Sequence, residues 1–227
     1  MVFILCIDTA TEICSVALFK DNNLIAINEI TEGNKHASEL TTLINKTIND
    51  GGVTLQQLSA ICVSKGPGSY TGLRVGVSTA KGLCFGLNIP LIAINTLQSL
   101  ASVYMQQNPN NTHLICAMID ARRMEVFTAM YQPNLTEYTA TEAKIIDEES
   151  YLTELNNSAI VFIGNGAAKC KQTITYANAI FVEDIVCSAK GLGDLAYQKF
   201  NENKFEDVAY FEPFYLKDFV ATTPKQK

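Results

Sequence analysis

The chain has 227 residues, of which 48% are hydrophobic and 18% are charged. This composition is too apolar for a disordered chain, and the length predicts one or two globular domains with a sizeable core. The formal charge of −6 argues against a broad nucleic-acid-binding face. No apolar run reaches the roughly 18 residues that a membrane span requires, and no basic segment precedes the first apolar stretch. We therefore expect a cytoplasmic protein that makes no membrane contact.

The seven cysteines are odd in number and include no CxxC pair. Most of them lie within apolar runs, so we predict buried, small hydrophobic side chains in a reducing compartment. The two histidines, His36 and His113, have no partner at the spacing of metal ligands. The sequence therefore predicts no zinc site, and we interpret His36 as a capping or solvent-facing residue at the start of a helix.

Strand and helix patterns alternate along the first half of the chain. Apolar residues in short runs predict strands, and Leu40, Leu43, Ile44 and Ile48 recur at the spacing of an amphipathic helix. The predicted elements are, in order, strands at residues 4–8, 17–19 and 24–30, a helix that ends near residue 50, a strand at 60–64, a glycine-bearing helix at 71–86 and a strand at 90–94.

An internal repeat relates the two halves. An apolar strand that ends in Ile-Asp occurs twice, at Asp8 and at Asp120, about half the chain apart. In each half a second strand follows at the same offset, and a later buried strand leads into a glycine turn, at residues 66–68 and 164–166. The repeat predicts that one folding unit has been duplicated.

The second half is less regular than the first. We predict a strand over 136–146 and helices over 148–155 and 191–201. Strands that alternate with helices indicate an α/β fold with helices packed over the sheets. The sequence therefore predicts two α/β subdomains, residues 1–100 and 101–227, with the last segment packing back on the first.

Two strand-end carboxylates, Asp8 and Asp120, lie next to glycine turns in this fold. One hypothesis is a phosphate cleft between the subdomains, in which the aspartates hold Mg²⁺ through water and the turn N–H groups face phosphates. The other is structural: the aspartates cap hairpin turns and the glycines supply positive φ. Neither hairpin is glycine-rich, and the GxxxxGK[ST] and GxGxxG motifs are absent, which weakens the case for catalytic phosphate transfer. The candidate cleft comprises Asp8, Gly66, Gly68, Asp120, Gly164 and Gly166.

The glycine-bearing helix carries a stripe of small residues. Gly72, Gly76 and Ala80 recur at every fourth position, although a glycine inside a helix costs about 1 kcal/mol relative to alanine. Such a stripe allows a second helix to approach closely. Two partners stay open, a helix of the same chain or the same helix on another subunit.

Arg122 and Arg123 form a local basic pair after the second Ile-Asp strand. Adjacent arginines in a turn are usually solvated. The alternative is a contact to a nucleotide or RNA phosphate, because the guanidinium group binds phosphate oxygens well.

Three segments together resemble the TsaB family, also called YeaZ. They are Ile-Asp-Thr-Ala-Thr at residues 7–11, the run from Gly-Pro-Gly-Ser-Tyr-Thr-Gly-Leu-Arg to Ala-Lys-Gly at 66–82, and Ile-Asp-Ala-Arg at 119–122. The family is the dimerisation subunit of the bacterial machinery that makes threonylcarbamoyladenosine in tRNA. Residues 213–217 look like its Pro-x-Tyr-Leu-Arg element, with Lys217 in place of arginine.

The resemblance implies a duplicated actin-like fold of the ribonuclease H-like, sugar kinase and Hsp70 superfamily. It also implies a catalytic paralogue, TsaD, in which histidines of an Asn-His-x-Glu-x-His stretch hold a metal. Here Thr96 and Leu100 stand at the ligand positions. A leucine cannot coordinate a metal ion and a lone threonine hydroxyl cannot hold a transition metal, so we predict no metal site.

The function implied by the resemblance is that of a non-catalytic subunit, a pseudoenzyme. It pairs with TsaD and works with the ATPase TsaE in threonylcarbamoyl transfer to N6 of the adenosine beside the tRNA anticodon. It reaches tRNA only through the complex, forms a homodimer when alone, and requires no cofactor, with at most weak ATP or ADP binding. The implied partner interface comprises Gly72, Leu73, Arg74, Gly76, Val77, Ala80, Lys81 and Cys84.

One alternative from the enzyme class stays open. It is a small Mg²⁺-dependent ATPase or kinase that uses the cleft at Asp8 and Asp120. A protease is not supported, because the sequence offers no Ser-His-Asp, Cys-His or HExxH arrangement.

Overall fold

Two five-stranded mixed sheets organise the chain, and both follow the same strand order. The structure is a computed structural model that describes residues 1–31 and 36–217. The first sheet has the order β3-β2-β1-β4-β5 and the second has the order β8-β7-β6-β9-β10. The strands of the two sheets are β1 (Phe3–Asp8), β2 (Cys14–Lys20), β3 (Asn23–Ile30), β4 (Ala60–Ser64), β5 (Leu91–Ile94), β6 (Leu114–Asp120), β7 (Glu125–Tyr131), β8 (Glu142–Ile145), β9 (Ile160–Ile163) and β10 (Ala179–Phe181).

The pairing within the sheets confirms the predicted duplication. In each sheet the first three strands are antiparallel, and the last two run parallel to the central strand that ends in Ile-Asp. The two aspartates therefore occupy equivalent positions, at the carboxyl ends of β1 and β6. Ligand clefts of open α/β sheets lie at this edge.

In the described residues, six α-helices cover the sheets. They are α1 (His36–Asp50), α2 (Tyr70–Leu87), α3 (Thr96–Gln107), α4 (Leu152–Asn157), α5 (Asn165–Cys170) and α6 (Gly193–Asn201). Every residue of β1 is buried because helices pack on both faces of the first sheet, α1 and α2 on one and α6 on the other. Within the described ranges, no helix is long and apolar enough to span a bilayer.

The last helix of each half packs on the sheet of the other half. Apolar residues of α3 join the core of the second sheet, and those of α6 join the core of the first. The division predicted at residue 100 falls inside α3, which the sequence patterns did not predict. Its signal is the Asn95 side chain, which accepts the Leu97 N–H at 2.9 Å, followed by Leu97, Leu100 and Tyr104 at helical spacing.

Two predicted elements differ from those observed. The strand predicted over 136–146 is reduced to β8, because the N–H groups of Tyr138 and Thr139 both donate to the Met130 carbonyl and break regular pairing. The helix predicted from residue 148 begins at Leu152, since Tyr151 has a positive φ of 63°. His36 begins α1, and its side chain lies outside the described part of the structure.

Candidate functional site

A cleft of about 710 Å³ separates the carboxyl ends of the central strands. Both Ile-Asp hairpin turns, the first glycine turn and the C-terminal segment line it. The walls consist of residues 10–12, 67–71, 119–122 and 214–217, with Phe127 and Asn165. Of the six predicted cleft residues, Gly68 and Asp120 line it, one from each half. The other four, Asp8, Gly66, Gly164 and Gly166, lie outside its lining.

Asp8 closes the first hairpin turn. Its side chain is 1% exposed, and its Oδ1 accepts the Ala10 N–H at 3.0 Å. The Ala10 carbonyl in turn accepts the Ser69 N–H at 2.7 Å, which holds the first glycine turn against the hairpin. This contact leaves no room for a side chain at Gly68, whose Cβ would overlap the Ala10 carbonyl oxygen. These contacts support the capping role of Asp8. The positive φ predicted for Gly68 is wrong, since this glycine is required by its close packing on Ala10, whereas Gly66 has the predicted positive φ.

Asp120 is held by a lysine of its own subdomain. Its Oδ1 accepts the Arg122 N–H at 2.7 Å and forms an ion pair with Lys169 of α5. The Lys169 ammonium also donates to the carbonyls of Arg123 at 2.8 Å and Glu125 at 2.7 Å. An ammonium group has three donors, and all three are used. The position predicted for a Mg²⁺ ion beside Asp120 is therefore taken by a side-chain cation.

The second glycine turn packs on the second hairpin. Gly164 has a φ of 95°. A Cβ added at Gly164 or at Gly166 would overlap the backbone of residues 118–120. Between these glycines, Asn165 accepts the Asp120 N–H through Oδ1 at 3.0 Å, and its Nδ2 lies 3.5 Å from Glu12 Oε2 of the first hairpin. Asn165 was not predicted; its only signal is its place inside the repeated turn.

Three backbone N–H groups of the second hairpin, those of residues 120–122, are committed within the chain. Those of Asp120 and Arg122 bind side chains, and that of Ala121 donates to the Glu125 carbonyl at 3.1 Å. They cannot cradle a phosphate without breaking these bonds. The residues present therefore do not fit a Mg²⁺-bound nucleotide held between the hairpins, and the Mg²⁺-dependent ATPase alternative gains no support.

Thr96 and Leu100 serve the fold. Thr96 bonds both polar groups of the Gly66 backbone: its Oγ1 accepts the Gly66 N–H at 3.1 Å and its N–H donates to the Gly66 carbonyl at 3.0 Å. Gly66 itself has a φ of 114°. Leu100 is buried in the core of the second sheet. Across residues 1–31 and 36–217, no group of three or more His, Cys, Asp or Glu side chains is arranged to hold a metal ion.

The predicted small-residue stripe of α2 faces the interior of the chain. The Thr9 hydroxyl donates to the Gly72 carbonyl at 2.7 Å. A Cβ at Gly76 would overlap the oxygen of this Thr9 hydroxyl. The stripe therefore packs on the first hairpin. Neither predicted partner, a helix of the same chain or the same helix on another subunit, is the one observed. The expectation that these residues form a partner surface is wrong for the six that are buried: Gly72, Leu73, Gly76, Val77, Ala80 and Cys84.

The two remaining residues of the predicted interface bind the C-terminal segment. The Arg74 guanidinium lies 4.3 Å from the centre of the Tyr70 ring, and its Nε lies 3.4 Å from the Tyr215 hydroxyl. Lys81 donates to the backbone carbonyls of residues 209 and 211 at 3.1 and 2.8 Å. Lys217, which stands where the family has arginine, pairs with Glu125 of the second sheet. The segment thus crosses from α2 to the second subdomain.

A second row of small residues lies on the exposed side of α2. Ser78, Gly82 and Gly86 recur at every fourth position and are exposed, and a Cβ at either glycine would meet nothing within 4 Å. Beside them the Phe85 side chain is 86% exposed. Contacts within the chain explain the glycines of the buried stripe and leave those of the exposed row without a structural reason.

The cysteines do not supply a nucleophile. All seven are free and buried. Burial raises the pKa of Cys14 to about 11 and the pKa values of Cys84 and Cys116 to about 12. Because the thiolate is the reactive form, these side chains are unreactive at neutral pH.

We expect the native chain to release almost no chromophore from a disulfide thiol reagent at pH 8. Unfolding in guanidinium chloride exposes the thiols and returns their pKa values to about 8.5, so all seven should then react. The measurement is the absorbance of the released chromophore with and without denaturant. Rapid reaction of one thiol in the native chain would show that a cysteine is accessible.

Comparison with known proteins agrees with this geometry. A family model described as TsaD, tRNA N6-adenosine threonylcarbamoyltransferase, matches residues 29–225. The tRNA threonylcarbamoyladenosine biosynthesis protein TsaB of Escherichia coli is 30% identical over 226 residues, which cover 96% of each chain. The chain belongs to the TsaB family.

Solved structures share the fold of this chain. YeaZ from Pseudomonas aeruginosa matches with a TM-score of 0.82 and 25% identity, over 95% of this chain and all of that one. An activator of 2-hydroxyisocaproyl-CoA dehydratase from Clostridium difficile matches with a TM-score of 0.52 and 11% identity, over 90% of this chain and 98% of that one. The second likeness is one of fold. The predicted duplicated actin-like architecture is therefore confirmed.

Proposed function

We propose that this chain is a non-catalytic subunit of a tRNA threonylcarbamoyltransferase complex. It pairs with a metal-binding, TsaD-like paralogue and works with a TsaE-like ATPase. Together they transfer threonylcarbamoyl to N6 of the adenosine beside the tRNA anticodon, in the cytoplasm. Membership of the TsaB family and the match to the TsaD model support this assignment.

The observation that carries the non-catalytic role is that Asp120 and the N–H groups beside it, which were predicted to hold Mg²⁺ and face phosphate, are committed within the chain. Lys169 holds Asp120, the hairpin N–H groups bind internal acceptors, and Thr96 bonds Gly66. Catalytic groups must be free to bind the reacting atoms. A scaffold that keeps the fold and pairs its own strand-end carboxylate with a lysine suits a subunit that supports catalysis elsewhere.

The exposed row of α2, Ser78, Gly82 and Gly86, supports pairing through this helix. Glycines in an exposed helix interior cost about 1 kcal/mol each, and a close helix on another subunit accounts for that cost. The Phe85 side chain supplies an aromatic anchor of the kind that dominates protein interfaces. Since the TsaD model matches residues 29–225, the paralogue contains an equivalent of α2, and two such helices can pair about a pseudo-twofold axis.

Light scattering coupled to size-exclusion chromatography tests the proposal. The chain alone should elute as a homodimer, and an equimolar mixture with the metal-binding paralogue should elute as a new one-to-one species. We expect the one-to-one species to replace the homodimer because both assemblies use the same face of α2. Unchanged elution of both proteins after mixing would overturn the proposed pairing.

A further inference from the structure

All three arginines of the chain lie around the rim of the cleft, two on one side and one on the other. The other 14 of the 17 basic residues are lysines, distributed along the whole sequence. Arg122 lines the cleft directly and Arg123 follows it, while Arg74 stacks on Tyr70, which lines the opposite wall. Arginine differs from lysine in binding phosphate with two parallel N–H bonds and in stacking on aromatic rings. The placement therefore concentrates one type of chemistry around this rim.

The backbone under two of these arginines is strained. Arg122 and Arg123 have φ values of 72° and 49°, in the left-handed region that favours glycine and asparagine. Asp120 and Lys169 hold this conformation through the Arg122 N–H and the Arg123 carbonyl. Residues kept in such conformations by their surroundings cluster at functional sites. Asparagine or glycine would adopt this backbone at lower cost. The presence of two arginines instead indicates that their side chains have a function.

The acidic groups near this rim are already neutralised or engaged. Asp120 pairs with Lys169, and Glu125 pairs with Lys217. The Glu12 carboxylate lies 3.5 Å from the Asn165 side-chain amide. In the described part of the chain, neither Arg122 nor Arg123 forms an ion pair. The two guanidinium groups therefore keep their charge available for an external anion, despite the overall charge of −6.

Aromatic rings complete the same rim. The rings of Tyr70 and Tyr215 lie 4.9 Å apart, and both residues line the cleft together with Phe127. Unstacked bases of single-stranded nucleic acid bind to tyrosine rings and arginine planes, and each stack is worth about 1–3 kcal/mol. Half-buried aromatic rings on one side of the cleft and guanidinium groups on the other are thus suited to a base with its phosphate.

We propose that this rim, formed by Tyr70, Arg122, Arg123 and Tyr215, binds one nucleotide unit of single-stranded RNA. The phosphate binds Arg122 and Arg123, and the base stacks at the tyrosine pair, without a metal ion. This proposal rests on the proposed function, which brings tRNA to the complex. It adds a direct RNA contact by this chain at the rim of the cleft, without the Mg²⁺ ion that the residues between the hairpins do not fit.

Two double variants test the proposal. Arg122→Asn with Arg123→Gly removes both charges and relaxes the backbone, so its Tm should rise by about 2 °C or more. Arg122→Lys with Arg123→Lys keeps the charge and loses the bidentate geometry. Each is purified as the one-to-one complex with the paralogue and titrated with fluorescein-labelled, unmodified tRNA at several salt concentrations. The readout is the fluorescence anisotropy.

The Asn-Gly variant should bind tRNA at least about 10-fold more weakly, and its slope of log affinity against log salt should be shallower by about 1 to 2. The lysine variant should keep the wild-type slope and lose part of the affinity. Equal tRNA affinity and salt slope in the Asn-Gly variant and the wild type would overturn the proposal. A rise in Tm without loss of binding would have the same meaning.

A second arm uses the isolated chain at low salt, with a labelled pentanucleotide RNA and with AMP free of Mg²⁺. Loss of pentanucleotide binding in the Asn-Gly variant supports the proposal even where no complex forms. Failure of the proposed pairing is detected independently, by the size-exclusion chromatography. Binding of AMP but not of RNA, lost in the same variant, would overturn the RNA assignment in favour of a free nucleotide. No difference between the chains with either probe would also overturn it.

Discussion

Replacing Gly76 by alanine should lower the free energy of unfolding by about 2 kcal/mol, and replacing Thr9 as well should restore most of it. A Cβ at Gly76 would overlap the buried Thr9 hydroxyl, which donates to the Gly72 carbonyl. Overpacking costs about 1–3 kcal/mol and loss of the hydrogen bond about 1, while alanine returns about 1 through helix propensity. Thr9→Ala removes the obstructing oxygen and leaves space for the new methyl group.

The measurement is a double-mutant cycle by urea unfolding, followed by far-ultraviolet circular dichroism. Thr9→Ala alone should cost about 1 kcal/mol and the double variant should lie close to the wild type, so the cycle should give a coupling of about 3 kcal/mol. Gly82→Ala is the matched control on the same helix. It meets open space and should stabilise the chain by about 1 kcal/mol. Additive effects of Thr9→Ala and Gly76→Ala would show that Thr9 is not the obstacle.

Gly82→Arg should weaken pairing with the TsaD-like paralogue by at least about 100-fold and leave the chain folded. Gly82 is exposed, and nothing lies within 4 Å of its Cβ position, so the arginine projects into solvent in the free chain. In the proposed interface it would occupy the space of the partner helix. A clash of about 2.7 kcal/mol or more corresponds to this loss of affinity.

Size-exclusion chromatography with light scattering, run over a range of concentrations, measures the change in affinity. The Tm of Gly82→Arg should not fall below that of the wild type, because arginine is a better helix former than glycine. Gly82→Ala adds a single methyl group and should keep most of the affinity. If the Gly82→Arg variant forms the one-to-one complex with unchanged affinity, the exposed row of α2 is not the interface.

The repeat was predictable because strand-end signals are local. The Ile-Asp strands and the glycine turns recur at one offset, and the structure places them equivalently in two sheets. The family assignment followed from the same segments, and the curated relatives confirm it. Short-range patterns of this kind carry the fold whenever each half repeats the same order of elements.

The direction in which α2 faces was not predicted from its small residues. The helix carries two rows at the same spacing, one through Gly76 and one through Gly82, and spacing alone does not say which is buried. The signal that distinguishes them is the neighbouring chemistry, because Leu73, Val77 and Cys84 border the buried row. Apolar neighbours indicate the core, whereas a lone Phe85 beside glycines indicates an exposed contact surface.

The contacts that fill the cleft were also beyond prediction from sequence. Lys169 reaches Asp120 from a distant helix, and Asn165 spans from Asp120 to Glu12 of the other half. The first contact depends on how α5 packs on the second hairpin, and the contact to Glu12 depends on how the two subdomains are placed. No local pattern records either. Only the repeated glycine turn, which brings α5 against the second hairpin, places these side chains within reach.

The exchange of terminal helices between the halves makes the two subdomains depend on each other. Because α3 covers the second sheet and α6 covers the first, a chain divided near residue 100 would leave one face of each sheet bare. The exposed strand residues would include Ile4, Cys6 and Ile92, all fully buried in the intact chain. Neither half holds a complete core, so the chain unfolds as one cooperative unit and the halves cannot have separate stabilities.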